Sequence, residues 1–356
     1  MEILKKIANN LFLIVTGKRR FGQSWNLMRY NLSGKGIRLA YKPIYLTILP
    51  IYRCNLSCKM CLTHSRELPD TKYRHKPFPN MSLEMFKDIV DTFKNSVAVG
   101  FMGNGEPLLH KDIFAMILYA KRNKMRTSLI TNGLLLDRIV DEIVDSGLDE
   151  IAISINGHNA DEFFRVTGVN RNCFDKIIEN SSLLLRAKTQ KKSNLRIGAS
   201  IIIDRENIFK LQEMIDYSAG IGFDSLSFYT VLPLLKSVAE KVAPYKNVEI
   251  EDYLKNLSLP GKNKMLVRLP VLLARELKLR RCNDFFTCIN VDGNGNVGGC
   301  NRQRFDLETN GKYYDDDVWN NRYFQEERAK FLLKDGPMEE PCEVCYANQM
   351  NEHEDL

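Results

Sequence analysis

Arg53-Cys54-Asn55-Leu56-Ser57-Cys58-Lys59-Met60-Cys61 places three thiols within eight residues, with gaps of three and then two. The stretch follows directly on Ile44–Tyr52, an apolar run with the length and composition of a strand. A structural zinc wants four ligands, commonly in two close pairs. Here the next cysteine is more than 100 residues away, although His64, three residues past Cys61, could complete a Cys3His site. A cubane iron–sulfur cluster has four irons, each wanting a ligand. Three thiolates leave one iron open for a small molecule, whereas an electron carrier would be closed by a fourth cysteine. The spacing therefore favours chemistry at an open iron, with zinc as the alternative.

Working outward, strand-like runs fall at Ile44–Tyr52, Val97–Met102, Arg126–Thr131, Glu150–Ile155, Leu195–Ile203 and Ser225–Val231. Helical spacing covers Ser82–Lys94, Ile113–Asn123, Leu134–Ser146, 159–166, 172–189 and Asn207–Ile221. Ser82 is a natural N-cap, and Gly147 suits a helix C-terminus. Six strands alternating with helices predict an α/β fold of parallel βαβ units, either a barrel or a doubly wound sheet. In both, ligands gather at the carboxyl ends of the strands. The turns expected there are unusual. The cysteines follow the first strand, Gly103-Asn104-Gly105-Glu106-Pro107 the second, and Thr131-Asn132-Gly133 the third. Ser154 leads into Asn156-Gly157 at the fourth.

The chain has 356 residues, 44% hydrophobic and 27% charged, which suits a soluble globular protein of roughly two domains. No run approaches the ~18–20 apolar residues of a membrane span. Leu11–Val15, flanked by Lys5, Lys6 and Lys18–Arg20, is shorter than a secretory h-region and lacks a cleavage site. It reads as a short amphipathic helix, with a membrane-surface contact as the alternative. The net charge of +7 permits an anionic substrate, but the basic stretches are short and carry no interleaved aromatics, so nucleic acid is not an expected partner. Nine cysteines without a signal peptide point to a reducing, cytoplasmic setting, where clustered thiols bind metal or do chemistry.

Cys54-x3-Cys58-x2-Cys61 after the first strand of a βα series resembles the signature of the radical S-adenosylmethionine (SAM) superfamily. The resemblance spans about residues 44–232. It implies a partial (β/α)6 barrel and a 4Fe–4S cluster held by Cys54, Cys58 and Cys61. SAM's amino and carboxylate groups would chelate the open iron. An external one-electron reductant such as flavodoxin or ferredoxin would then drive cleavage of SAM to methionine and a 5′-deoxyadenosyl radical. Gly103, Gly105, Glu106 and Pro107 resemble the family's glycine-glycine-glutamate turn, which meets SAM's amino group. Asn104 is an insertion-like departure. Met60 stands where the family usually has an aromatic near adenine. Thr131 and Asn132 lie in the next turn, and Ser154 and Asn156 match the fourth-strand position that commonly touches SAM. For Ser154 a satisfied strand-end hydroxyl is the plain alternative.

After about residue 233 the character changes. Residues 234–281 read as a lysine-rich connector that caps the barrel. Residues 282–356 hold five cysteines, with the Val291–Val297 run predicting a hairpin. Cys282-x12-Gly295-x4-Cys300 followed by Cys342-x2-Cys345 resembles the auxiliary-cluster extension called SPASM, or its shorter relative, twitch. The chain ends eleven residues after Cys345, so the twitch type with one auxiliary 4Fe–4S cluster is expected. Its simplest ligand set is Cys282, Cys300, Cys342 and Cys345, with zinc as the alternative metal. Cys288 is left over as a substitute ligand, a packing thiol or a hydrogen-atom donor. The expected domains are thus 1–43 (extension), 44–233 (barrel), 234–281 (cap) and 282–356 (auxiliary domain).

A closed auxiliary cluster suits acceptance of an electron from a substrate radical, which makes oxidation of a small polar substrate the leading reaction class. Epimerisation, with Cys288 as donor, and peptide maturation are the alternatives. The 43 residues before the first strand are too few for the peptide-recognition domain of about eighty residues common in such maturases. An iron–sulfur electron carrier or a zinc-stabilised interaction protein is the non-enzyme alternative, and the Gly103–Pro107 turn speaks against it.

Overall fold

The run that precedes the cysteines forms strand β1 (Tyr45–Ile48), third from one edge of a nine-stranded sheet in the computed structural model. The structure describes residues 13, 15–68, 74–233, 235–261, 264–275, 282–303, 306–333, 338 and 340–348. The helix expected at Leu11–Val15 lies mostly outside them. Strands β2 (Ala98–Phe101), β3 (Arg126–Thr131), β4 (Glu150–Ser154), β5 (Arg196–Ile203) and β6 (Ser225–Thr230) follow β1 in order, each parallel to the last. Between them run α2 (Leu83–Thr92), α3 (Ile113–Arg122), α4 (Val140–Asp145), α5 (Ala160–Thr167), α6 (Asn172–Gln190) and α7 (Leu211–Ile221). A further helix, α1 (Phe21–Leu32), precedes β1. The result is an open, partial barrel.

Alternation along the strands decides its two faces. Leu46, Ile48, Val99, Phe101, Ile151 and Ile153 are fully buried in the core that includes the helices. Thr47, Gly100, Ser128 and Glu150 lie in one register row and line the inner face with small or polar groups. Ser82 caps α2 as expected, accepting the Met85 N–H at 3.1 Å. Gly168 and Gly222 end α5 and α7 in left-handed conformations.

The sheet extends beyond the six expected strands. On one edge β7 (Leu266–Arg268) pairs with β6; the helices α8 (Lys236–Val242) and α9 (Val248–Lys255) precede it. On the other edge β8 (Cys288–Val291), preceded by the short α10 (Asp284–Thr287), pairs in parallel with β1. It then turns through Asp292–Asn296 into the antiparallel β9 (Val297–Gly298), the hairpin read from the turn residues. Helix α11 (Arg322–Leu332) and the short α12 (Glu340–Glu343) follow. The stretch expected as one helix at Leu134–Ser146 is instead a 3-10 turn at Leu136–Arg138 followed by α4. No helix among the described residues is long and apolar enough to cross a membrane.

Candidate metal and cofactor site

The loop after β1 folds on itself. The Cys61 N–H donates to the Cys58 carbonyl (3.0 Å), the Ser65 N–H to the Cys61 carbonyl (3.1 Å), and the Lys59 N–H to the Thr167 carbonyl at the end of α5 (2.7 Å). Backbone N–H groups also reach sulfur. Leu56 donates to Cys54 Sγ at 3.5 Å and His64 to Cys61 Sγ at 3.4 Å. Burial, then the neighbouring Cys61 and Cys54, push the Cys58 thiol up to about 12. Burial raises Cys54 as well. Among the described residues no three such side chains converge on a single ion. A cubane asks for something else: each thiolate ligates a different iron, so its cysteines surround a volume, and N–H donors to sulfur are among the groups that tune it.

The turn after β2 is pressed against this loop. Gly105 permits the contact, because a Cβ there would lie 2.4 Å from the Ile51 carbonyl oxygen and 2.6 Å from that of Arg53. Gly103 has φ +114°, a conformation that side chains rarely adopt. His64 fastens the two segments, its Nε2–H shared between the carbonyls of Tyr52 (2.8 Å) and Asn104 (2.6 Å). Two carbonyl acceptors fix the proton on that nitrogen, which is therefore a donor to the loop. Asn104 is 6% exposed; its Oδ1 accepts from the Thr63 hydroxyl at 3.2 Å, while its Nδ2 is buried with no protein partner. A buried donor left open beside the cysteine loop, glycine turns without side chains and N–H groups aimed at sulfur all fit a bound cluster with a polar cofactor.

Glu106 is 2% exposed and faces the protein. Its Oε1 accepts the Leu108 N–H (3.1 Å) and the Thr131 hydroxyl (2.8 Å), and its Oε2 accepts the Asn132 N–H (2.8 Å). Burial raises its pKa and these donors lower it, with burial prevailing. Three of about four lone-pair sites are thus spent on the fold. Pro107 opens the 3-10 turn that follows. Asn132 also donates its Nδ2 to Asn55 Oδ1 at 2.7 Å, reaching into the cysteine loop. Ser154 and Ser200 hydroxyls meet at 3.3 Å on the inner face. Asn156 sits at φ +48°, with its Oδ1 taking the Ile202 N–H at 3.2 Å. Met60 is half-buried within the loop.

The second cysteine set is also gathered. Cys282, Cys300 and Cys345 are buried, and each of the last two thiols raises the pKa of Cys282 after burial and Asp284 have done so. Cys342 is half-buried; its carbonyl receives the Cys345 N–H at 3.5 Å, and both Cys342 and Cys300 raise the already burial-raised pKa of Tyr323. One residue that the sequence reading missed stands among them. Arg302 gives its backbone N–H to Cys300 Sγ (3.4 Å) and its guanidinium to Tyr346 Oη (3.1 Å) and Asp284 (3.4 Å), leaving Nε buried without a partner. Its position two residues past Cys300 was the available signal. Cys288 begins β8 and meets the Thr47 hydroxyl at 3.2 Å on the inner face.

A family model described as the radical SAM superfamily matches residues 48–218, the span that carries both the cysteine loop and the glycine turn. Over that span, just under half of its length, the chain is similar to the radical SAM superfamily. Among its relatives is a tungsten-containing aldehyde ferredoxin oxidoreductase cofactor-modifying protein of Pyrococcus furiosus, 25% identical over 253 residues, which are 68% of this chain and 66% of that one. Another is the mycofactocin maturase MftC of Mycolicibacterium smegmatis, 27% identical over 183 residues, 51% of this chain and 43% of that one. The chain spans less than two thirds of the length of either. The fold is shared with Streptococcus suis SuiB bound to S-adenosylmethionine, with a TM-score of 0.60 at 15% identity over 86% of this chain and 70% of that one.

Proposed function

We propose that the protein is a radical SAM enzyme that oxidises a small polar substrate by two electrons. The gathering of Cys282, Cys300 and Cys345 next to β8, a strand hydrogen-bonded to β1, carries this reading. It gives the barrel a second thiol group suited to a closed cluster. In this reading Cys54, Cys58 and Cys61 hold the SAM-binding 4Fe–4S cluster, and Cys282, Cys300, Cys342 and Cys345 hold one auxiliary 4Fe–4S cluster. Residues 44–233 form the barrel, 234–281 the substrate cap and 282–356 the auxiliary domain. When bound, SAM and its cluster supply a 5′-deoxyadenosyl radical on reduction by an external carrier such as flavodoxin or ferredoxin, and the auxiliary cluster supplies an acceptor for one further electron.

The chain's own residues do the rest. Gly103 and Gly105 would let backbone approach the cofactor, while Glu106 holds Thr131 and Asn132 in place. Met60, Pro107, Ser154 and Asn156 complete the rim. Inner-face hydroxyls such as Ser128, Ser154 and Ser200 suit a polar substrate. With the radical and the acceptor so supplied, an alcohol carbon would become a carbonyl by giving up a hydrogen atom, a proton to a base and an electron to the auxiliary cluster. A cytoplasmic setting fits so many reduced thiols.

Epimerisation or peptide maturation is the second reading, favoured by the inner-face thiol of Cys288 and by the maturase among the relatives. Iron content and 5′-deoxyadenosine formation after anaerobic reconstitution test the main proposal. About eight irons per chain in wild type and about four in the Cys54/Cys58/Cys61→Ala variant are expected. SAM cleavage should occur only in wild type. About four and none would remove the auxiliary cluster and the oxidation argument with it.

A further inference from the structure

Helix α1 is built inside out. Its protein-facing side is polar: Gln23 donates to the carbonyls of Ser96 (2.9 Å) and Asn123 (3.0 Å), and Asn26 to those of Lys42 (3.1 Å), Pro43 (3.3 Å) and Asn95 (3.3 Å). Its outer side carries Phe21, Trp25 and Leu32, which are 70%, 50% and 64% exposed. These three stand at i, i+4 and i+11, within about 40° of one another around the helix. The Phe21 and Trp25 rings stack at 6.5 Å. An apolar stripe of this kind, facing water, marks an interaction surface.

Charge identifies the partner. Nine of the 51 lysines and arginines, but only one of the 44 acidic residues, fall in residues 1–42. That stretch is therefore +8, with Arg38 and Lys42 paired to Asp317, and the remaining 314 residues together are −1. Lys18, Arg20 and Arg29 are exposed around the aromatic stripe. A second copy of the chain would bring two such patches face to face, and like charges oppose that. A bilayer with anionic headgroups meets both features, taking Trp and Phe at the interface and the cations at the headgroups. The carbonyls that seat α1 lie just before β1, β2 and β3, at the amino ends of the strands. The cysteine loop and the Gly103–Pro107 turn are at the carboxyl ends. We propose that α1 docks the protein peripherally on an anionic membrane surface, with the barrel mouth turned away from the lipid.

Flotation of the reconstituted full chain tests this, using vesicles of phosphatidylcholine with or without phosphatidylserine. Wild type should float with the anionic vesicles only, and added salt should release it. The Phe21→Ser/Trp25→Ser variant and the Lys18→Glu/Arg20→Glu/Arg29→Glu variant should each lose at least about tenfold in binding. Circular dichroism checks the folding of both, and either suffices if the other misfolds. The chain has two tryptophans, and Trp319 is 1% exposed, so a blue shift on adding anionic vesicles reports Trp25. Three outcomes would overturn the proposal: no flotation, undiminished flotation of both variants, or a lipid-free dimer that Phe21→Ser/Trp25→Ser dissolves. Capture by an acidic polypeptide but not by vesicles would do the same.

Discussion

The Glu106 carboxylate accepts the Asn132 N–H at 2.8 Å and so joins the turn after β2 to the turn after β3. Glu106→Ala would leave that N–H, the Leu108 N–H and the Thr131 hydroxyl without their acceptor. Unpaired buried donors of this kind cost about 1–3 kcal/mol each, less where water enters the space. A loss of about 2–4 kcal/mol in urea unfolding is expected, together with weaker SAM binding. Glu106→Gln, which keeps one acceptor oxygen, should recover part of both.

Gly105→Ala tests the fit between the turn and the cysteine loop. The new methyl would meet two backbone carbonyl oxygens, which cannot rotate away. Overpacking of this sort costs about 1–3 kcal/mol. The variant should melt earlier and take up less iron on reconstitution, with the shortfall at the Cys54, Cys58 and Cys61 cluster. Unaltered iron content and melting would mean that the two segments part without penalty.

Cys288 separates the two reaction classes. If the protein oxidises its substrate, Cys288→Ala should retain most of its turnover, and about one 5′-deoxyadenosine should form per product. If it epimerises, the same variant should lose turnover yet still cleave SAM. Incorporation of solvent deuterium into product is the deciding readout, since only a returned hydrogen atom carries it.

Arg302 places a fixed positive charge among the second cysteine set. Positive charge favours the reduced, more negative state of a cluster. In the Cys54/Cys58/Cys61→Ala background, Arg302→Gln should lower the ratio of reduced to oxidised cluster about tenfold at a set potential, which is 59 mV for a one-electron couple. Arg302→Lys should lie between it and the unsubstituted background. An EPR-monitored titration in which all three midpoints coincide would leave Arg302 a purely structural role.

Glu162 gives a pH dependence. Burial pushes its carboxyl up, but Arg165 (2.6 Å) and Lys210 (2.8 Å) more than offset this and hold it below the ordinary value of 4.5. The stabilisation is therefore complete above about 4.5 and is lost as pH falls through the lower folded-state value. The melting temperature should drop over that acid range. Glu162→Gln should flatten the drop while lowering stability at neutral pH.

Much of this architecture was readable in advance, and the exceptions have identifiable causes. Strands such as Arg126–Thr131 declare themselves because their apolar runs are local, and the glycine turns because few other roles suit Gly-x-Gly-Glu. The pairing of β8 with β1 was not readable, since it depends on residues far apart in the chain. Helix α1 has no inward-facing apolar stripe to announce it, because Gln23 and Asn26 take its buried positions. The break before α4 was hidden by apolar residues spaced well enough for one continuous helix. The fastening role of His64 could not be seen in advance, because the carbonyls of Tyr52 and Asn104 that it joins are far apart in the chain. Glu106 was expected to meet an ammonium group, and its burial among three protein donors could not be seen from its neighbours in sequence.

The pairing of β8 with β1 also sets an order of assembly. Cys54 and Cys288 are 234 residues apart. At about 5–20 residues per second of synthesis, the first cysteine loop is made roughly 10–50 s before its neighbour strand exists. Throughout that interval one side of β1 presents unpaired backbone groups, a template for any passing strand. A growing chain held by a chaperone until β8 arrives would escape that hazard. Yield during expression should therefore respond to chaperone supply more than the stability of the finished protein would suggest.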